Sequence, residues 1–295
     1  MFKFLRSPWL LAASLGGGSF AFVINNTNYN SYENKQFKRG KNIPKPKKVV
    51  KSVIFDFDGV IVDSETIFYK ANVEACNRFG AEYTLDIKHA QMGRSLSDAV
   101  ECVLRRTGLA EKQITEEEYL YVYNKYLDKL LPEMKLRPGA RRLIEHLQKN
   151  GIQTCICTSS SSEEFAKKID ECEDLVKKMD TVVLAGDDIE VEVGKPGPDP
   201  YLVTMRRMKP PPKNPSEVLV FEDSINGVKS ALSAGCTVIW VPQQDSEITN
   251  WGGQEATERK FQRYSNFAET ILSLNDFDPV KYGLPQYVEK KGGNN

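Results

Sequence analysis

The amino-acid sequence predicts an α/β protein with a mostly parallel sheet and a helical segment inserted after the first strand. Short apolar runs alternate with amphipathic helical stretches, which is typical of a parallel sheet covered by helices on both faces. A chain of 295 residues is long enough for one such core and a smaller helical unit. The predicted strands are residues 52–57, 154–157, 181–185, 218–221 and 237–241.

The first predicted strand belongs to residues 53–65, which read VIFDFDGVIVDSE. Asp56 and Asp58 lie two residues apart, so on an extended backbone both carboxylates point the same way. Such a pair can act as nucleophile and acid/base at a reacting phosphorus. Asp and Gly are also common turn residues, and Gly59 follows directly, so the pair alone could simply end a strand.

Residues 65–132 are rich in helix formers and carry apolar side chains at helical spacing. Tyr69, Val73 and Cys76, for example, recur at steps of four and three residues. This spacing indicates helix packing before it indicates contact with a ligand. The segment is therefore predicted to be helical.

Polar groups follow the second and third predicted strands. Thr158 and Ser159 come after the second, where hydroxyls and free backbone N–H groups at a helix start suit phosphate oxygens, although they could be ordinary helix caps. Residues 194–201, GKPGPDPY, follow the third. Prolines and glycines restrict this loop around Lys195, whose ammonium could neutralise a phosphoryl group, although most loop lysines are merely solvated.

The fourth predicted strand ends in Glu222 and Asp223. Adjacent carboxylates repel each other unless a cation lies between them, so the pair indicates a Mg²⁺ site of few protein ligands and several waters. Asp223 could instead cap the helix predicted to begin near residues 224–227. Ligands of parallel sheets bind beyond the carboxyl ends of the strands, so all four groups are expected to meet there.

These four groups, in this order, resemble the signature of the haloacid dehalogenase (HAD) superfamily of phosphohydrolases. The resemblance implies a Rossmann-like core of residues 51–64 and 133–288, with residues 65–132 as a helical cap. Residues 1–50 would then be a targeting or anchor segment with a basic linker, and residues 289–295 a disordered tail.

The resemblance also implies a role for each group. Asp56 would be the nucleophile that forms an aspartyl-phosphate, and Asp58 would protonate the leaving alcohol and then activate water. Thr158, Ser159 and Lys195 would contact the phosphoryl group. The ligands of the Mg²⁺ cofactor would be Asp56, Asp58 through its backbone carbonyl, and Asp223. Glu222 would be either a further ligand or a residue that contacts one of the ligands.

The runs AGDDIEVEVGKPGPDPYL and FDPVKYGLPQY further resemble the pseudouridine-5′-phosphatase subfamily, which also includes glycerol-phosphate phosphatases. This implies a phosphatase of a small phosphorylated metabolite, with pseudouridine 5′-phosphate as the first candidate and glycerol 3-phosphate or a sugar phosphate as alternatives. In related enzymes a cap loop, here HAQMGRS at residues 89–95, reaches the active site. Arg94 is therefore a candidate for substrate contact.

Other activities of the superfamily fit the sequence less well. Hexose-phosphate mutases carry a histidine twelve residues after the nucleophile, where this chain has Phe68, and dehalogenases lack the second aspartate. A phosphatase is therefore favoured over both. The alternative from a different class is a membrane-tethered, non-catalytic HAD-fold binding module.

The amino-terminal region differs in charge from the rest of the chain. Residues 1–48 contain nine Lys or Arg and a single acid, Glu33, which leaves the remainder of the neutral chain with a charge of −8. Residues 8–24 are almost wholly apolar or small, but a membrane span usually takes ~20 residues. Mitochondrial import is favoured, with the secretory pathway or membrane association through residues 8–24 as alternatives.

The remaining composition excludes several classes of partner and site. The basic linker has no interleaved aromatic residues, so no nucleic-acid partner is expected. The six cysteines form no CxxC pair, which argues against a disulfide framework or a zinc site and favours small buried thiols.

Overall fold

The structure is a computed structural model that describes residues 49–91, 96–243 and 252–288. Its strands are β1 (Ser52–Phe55), β2 (Gln153–Thr158), β3 (Thr181–Leu184), β4 (Val218–Glu222), β5 (Thr237–Trp240) and β6 (Phe267–Thr270). Together, the described strands form one six-stranded sheet in the order β3–β2–β1–β4–β5–β6. Every neighbouring pair is parallel.

Helices connect these strands. They are α1 (Ser64–Arg78), α2 (Leu85–Gln91), α3 (Leu96–Arg106), α4 (Glu116–Leu130), α5 (Ala140–Lys149), α6 (Ser162–Ala166), α7 (Glu173–Val176), α8 (Asp199–Arg207), α9 (Ile225–Ser233) and α10 (Gln254–Phe261). Short 3₁₀ turns occur at Leu131–Glu133, Asp170–Cys172, Pro215–Glu217, Leu274–Asp276 and Pro279–Tyr282. Side-chain caps begin α4 at Thr115, α6 at Ser161 and α9 at Ser224.

The sheet carries a core on each face because successive strand residues point to opposite sides. On one face Phe55 stacks on Phe221 at 5.2 Å between ring centroids, in a cluster that includes Leu143 of α5. On the other face Ile54 belongs to a cluster that includes Tyr201 of α8. β1 is therefore buried on both faces, and this packing holds in place the strand that precedes Asp56 and Asp58.

The position of β1 also explains where a crevice forms. β2 and β3 lie on one side of β1, and β4 to β6 lie on the other. Connections leave the sheet in opposite directions at such a point, so the loops that follow the two central strands diverge and leave room for a ligand.

Residues 64–130, here called the helical insertion, hold α1 to α4 between β1 and β2. They share an apolar cluster of their own, which includes Ala75, Val103 and Tyr119. Within the described residues, no helix of the chain is both long and apolar enough to cross a bilayer.

The predicted fold class is confirmed, and each of the five predicted strands is present with ends that shift by at most two residues. β6 was not predicted. Six free cysteines lie within the described residues and five of them are buried, as expected. The predictions for residues 1–48, for Arg94 and for the tail at residues 289–295 concern positions outside the described residues.

Candidate active site

Asp56 and Asp58 lie directly beyond the carboxyl end of β1. The backbone N–H of Asp56 donates to the Phe221 carbonyl at 3.0 Å, which extends the pairing with β4, and Asp56 is only 6% exposed. The chain then turns at Gly59, where φ is 77°. A Cβ atom there would lie 1.9 Å from Asp223 Oδ2, so only glycine fits between the two loops.

Lys195 joins two of the predicted acids. Its Nζ lies 2.6 Å from Asp56 Oδ1 and 2.6 Å from Glu222 Oε1, and it also donates to the Cys157 carbonyl at 3.1 Å. Burial lowers the pKa of Lys195, but Asp56 and Glu222 outweigh burial and raise the pKa well above its usual value. Lys195 is therefore a fixed positive charge at the floor of the site.

Glu222 is fully buried, and its carboxylate is held on every side. Besides Lys195, Tyr201 donates to Oε1 at 2.5 Å, and Ser224 donates to Oε2 at 3.3 Å from both its backbone N–H and its hydroxyl. Gly227, in the first turn of α9, leaves the space for this carboxylate: a Cβ there would lie 1.9 Å from Oε1.

Asp56, Glu222 and Asp223 form a cluster in which one oxygen of each lies within 4.8 Å of the others. Burial, opposed by Lys195 and assisted by Glu222, raises the pKa of Asp56 to about 7. Burial and the neighbouring Asp56 and Glu222 raise the pKa of Asp223 well above its usual value. The three crowded carboxylates form an all-oxygen donor set, and the single ammonium of Lys195 compensates only part of their negative charge. Such a set fits a hard divalent cation such as Mg²⁺.

Asp58 lies in a separate group of polar side chains. Lys168 Nζ contacts both of its carboxylate oxygens, at 2.9 and 3.0 Å, and the Ser160 hydroxyl donates to Oδ2 at 2.8 Å. Thr158 Oγ1 is 3.5 Å from the same oxygen. Burial raises the pKa of Asp58, but the charge of Lys168 and the hydrogen bonds from Lys168 and Ser160 outweigh it and lower the pKa.

These groups face a cavity of about 710 Å³ between the strand ends and the helical insertion. On the side of the sheet its lining includes Asp56, Asp58, Thr158, Ser159 and Lys195. Asp223 lies there as well. The cavity thus brings together the acid/base candidate and the four described residues that were predicted to attack the phosphorus or bind the substrate.

The helical insertion supplies the opposite wall, with several aromatic rings and a few polar groups. Phe68, Tyr69 and Tyr123 line the cavity. So do Glu65 and Lys88, which form an ion pair at 3.5 Å. Burial raises the pKa of Glu65, and Lys88 opposes this rise only in part.

Three residues of the site were not predicted from the sequence. Lys168 and Ser160 hold Asp58, and Tyr201 holds Glu222. Ser160 directly follows Thr158 and Ser159, and Tyr201 is the last residue of GKPGPDPY. Both therefore lie next to residues that the sequence marked as candidates. Lys168 lies ten residues after Thr158 in an ordinary charged helix end, and nothing in its sequence context marks it.

Comparison with known proteins assigns the family. Residues 53–241 match the family model described as haloacid dehalogenase-like hydrolase. The chain belongs to this family. It is a HAD-family hydrolase, which confirms the predicted enzyme class and disfavours the alternative of a non-catalytic binding module.

Relatives of this HAD-family chain include named phosphatases. The chain is 34% identical over 238 residues to "(DL)-glycerol-3-phosphatase 1, mitochondrial" of Arabidopsis thaliana, covering 80% of this chain and 74% of that protein. It is 34% identical over 245 residues to "Probable pseudouridine-5′-phosphatase" of Drosophila melanogaster, covering 82% and 99%. The subfamily resemblance drawn from the sequence is thereby confirmed.

Solved structures agree on the fold. A HAD-family hydrolase from Deinococcus radiodurans R1, crystallised with phosphate and sodium, aligns with a TM-score of 0.64 at 18% identity. The alignment covers 81% of this chain and 99% of that one. At this identity the similarity supports the HAD fold alone.

Proposed function

We propose that this HAD-family hydrolase is a Mg²⁺-dependent phosphatase that cleaves a small phosphomonoester through an aspartyl-phosphate on Asp56. The observation that carries the proposal is the surroundings of Asp56. Its carboxylate is 2.6 Å from the Lys195 ammonium, belongs to a three-acid cluster and faces the same cavity as Asp58. A nucleophile, a fixed cation and an acid/base group thus converge on one point, as phosphoryl transfer requires.

Each residue has a distinct task in this proposal. An Asp56 oxygen bonds to phosphorus as the ester P–O bond breaks, and Asp58 gives a proton to the leaving oxygen. Despite burial, Lys168 lowers the pKa of Asp58 in the substrate-free protein, so this step requires Asp58 to be protonated when the phosphoester binds. Asp58, now ionised, takes a proton from the water that attacks the aspartyl-phosphate and releases inorganic phosphate. Lys195, Thr158 and Ser159 bind the phosphoryl oxygens, and Lys195 compensates the charge that develops on them.

The proposed Mg²⁺ ligands are Asp56, Asp223 and the backbone carbonyl of Asp58. When bound, the cation would act as a Lewis acid that offsets phosphoryl charge and aligns the nucleophile. Glu222 already accepts hydrogen bonds from Lys195 and Tyr201, so we assign it to orienting the site next to the metal. Asp223 lines the cavity and is half-buried, whereas Asp56 and Glu222 are buried, so Asp223 is the carboxylate of the cluster most open to the ion.

The cavity wall supports a substrate larger than glycerol phosphate. Phe68, Tyr69 and Tyr123 offer ring faces on which a planar base can stack, and Glu65 and Lys88 offer an acceptor and donors for its polar edge. Pseudouridine 5′-phosphate is therefore our first candidate substrate. Glycerol 3-phosphate is the second, because an equally similar relative carries that name.

We assign residues 65–132 to a cap that shields the reaction from water and selects the substrate. Its side chains form one wall of a cavity whose other wall holds the acids, so closure would bring both sides onto one ligand. Arg94 stays a predicted substrate contact on this segment.

The experiment is phosphate release by the full-length protein, with and without Mg²⁺. The substrates are pseudouridine 5′-phosphate, uridine 5′-phosphate, glycerol 3-phosphate and hexose 6-phosphates, and Asp56→Asn is the control variant. We expect Mg²⁺-dependent turnover of one compound class and its loss in the control. Folded protein that binds Mg²⁺ but hydrolyses none of these compounds would refute the substrate assignment.

We also propose that residues 1–48 direct the protein to mitochondria. The support is their positive charge and a relative whose name includes "mitochondrial". Fusing residues 1–48 to a fluorescent protein tests this. Import into mitochondria is expected, whereas a secretory or plain membrane pattern would favour the signal or anchor alternatives.

A further inference from the structure

The carboxylate of Asp58 is held by hydrogen bonds from two neighbouring side chains, Lys168 and Ser160. Oδ2 accepts from the Ser160 hydroxyl at 2.8 Å and from Lys168 Nζ at 3.0 Å, while Oδ1 accepts from Lys168 at 2.9 Å. Lys168 Nζ also donates to the Ser160 hydroxyl at 3.0 Å. Lys168, Ser160 and Asp58 therefore form a closed triangle of hydrogen bonds, which fixes the plane of the carboxylate.

Lys168 is itself held in place. It is only 8% exposed, its ammonium lies 5.1 Å from the Phe68 ring of the helical insertion, and its backbone N–H donates to Phe165 at the end of α6. A lysine side chain loses much rotamer entropy when it is immobilised. A buried lysine held this way is a fixed part of the site, unlike its neighbour Lys167, which is exposed and forms a salt bridge with Glu163.

Lys168 contacts Asp58 and does not itself reach the cavity. Asp58 is among the described residues that line the cavity, whereas Lys168 is not among them. Its contact with a bound phosphate is therefore indirect, through Asp58. This separates Lys168 from Lys195, which lines the cavity directly.

We infer that Lys168 is a positioning residue for proton transfer by Asp58, an inference that rests on the phosphatase function proposed above. Lys168 contacts both oxygens of Asp58. By contrast, the Ser160 and Thr158 hydroxyls lie only on Oδ2, at 2.8 and 3.5 Å. We therefore assign proton exchange to Oδ1. In the first half-reaction the proton on Oδ1 moves to the leaving oxygen as its bond to phosphorus breaks. In the second, Oδ1 takes a proton from water as the water oxygen bonds to phosphorus and Asp56 is released.

Leaving-group dependence distinguishes this role from a merely structural one. An alkyl phosphate such as glycerol 3-phosphate needs its leaving oxygen protonated, but p-nitrophenyl phosphate releases a stable phenolate that needs no proton. The test is the rate of alcohol or nitrophenolate release in a single turnover, with enzyme in excess and Mg²⁺ present. Steady-state kcat and KM are measured alongside.

For Lys168→Met we expect the single-turnover rate with the alkyl phosphate to fall about 10- to 100-fold more than the rate with the aryl phosphate. KM should change little. Ser160→Ala should shift the ratio in the same direction but less, and Lys168→Arg should retain part of the rate because a guanidinium can also contact both oxygens. Lys167→Met is the matched control and should leave both rates unchanged.

An equal fall of the single-turnover rate for the two esters would overturn the inference. A raised KM with an unchanged kcat would overturn it as well, because it would indicate that Lys168 binds the substrate itself. If Lys168→Met does not fold, as judged by thermal unfolding, Ser160→Ala and Lys168→Arg decide the question by the same ratio. Failure of the wild-type protein on both esters would instead refute the proposed function.

Discussion

The packing of Glu222 against α9 leads to a sharp prediction for Gly227→Ala. In an ordinary helix position this change stabilises a protein by up to about 1 kcal/mol, because alanine is the better helix former. Here the new Cβ would lie 1.9 Å from Glu222 Oε1 and 2.0 Å from its carboxyl carbon. The carboxylate must move, and it cannot move without leaving its partners.

The magnitude follows from the bonds that are lost. Glu222 accepts from Lys195 at 2.6 Å and from Tyr201 at 2.5 Å, and a hydrogen bond to a charged group contributes about 1.5–3 kcal/mol. Losing both and gaining the helix propensity of alanine gives a net destabilisation of about 2–5 kcal/mol. Because Lys195 also contacts Asp56, kcat should fall at least about 100-fold.

Urea unfolding followed by circular dichroism measures the free energy of unfolding, and phosphate release measures kcat. Gly194→Ala is the control, because an added Cβ there meets no atom within 4 Å, and its stability should change by no more than about 1 kcal/mol. A Gly227→Ala protein as stable as the wild type, or more stable, would refute the described packing of Glu222.

Three further predictions concern the acids of the site. Gly59→Ala should weaken Mg²⁺ binding at least about tenfold, since its Cβ would lie 1.9 Å from Asp223 Oδ2 and its φ is 77°; isothermal titration calorimetry measures this. Lys195→Met should destabilise the protein by about 3–5 kcal/mol in urea unfolding, because it leaves Asp56 and Glu222 buried without their ammonium, and an unchanged midpoint would count against the buried ion pair. The pKa of Asp56 rises from 3.8 to about 7 on folding. Without metal, between these two pH values, the folded state therefore keeps a proton that the unfolded chain releases, so the free energy of unfolding falls as the pH rises from about 4 to about 7. Mg²⁺ should therefore raise Tm more at pH 8 than at pH 5. An equal rise in Tm at the two pH values would contradict the assignment of Asp56, with its raised pKa, as a Mg²⁺ ligand.

Much of the fold could be predicted because its core strands are apolar and uninterrupted. β4 reads VLVFE and is buried throughout, so its sequence alone marks a central strand. β6 reads FAET, with one buried residue and three half-buried ones at the edge of the sheet. An edge strand is stabilised by its single neighbour rather than by its own composition, and its sequence therefore carries little signal.

The residues of the candidate site also differ in how far the sequence predicts them. Asp56 directly follows an apolar strand, and Lys195 lies in a loop restricted by glycine and proline, so both could be singled out from the sequence. The Lys168 contact with Asp58 could not, because it depends on how α6 and its following turn pack after β2. Residues 110 positions apart meet there, and only the tertiary structure determines such a contact.

The helical insertion leaves the sheet and returns to it at nearly the same point. The N–H of Asp63 donates to the Lys135 carbonyl at 2.9 Å, and Val62 pairs with Leu136 in an antiparallel bridge. The segment packs around an apolar cluster of its own, although Ile67 also belongs to the core cluster of the sheet. Because its two ends lie side by side, we expect that exchanging the helical insertion for that of a relative alters substrate choice while the strand register is kept.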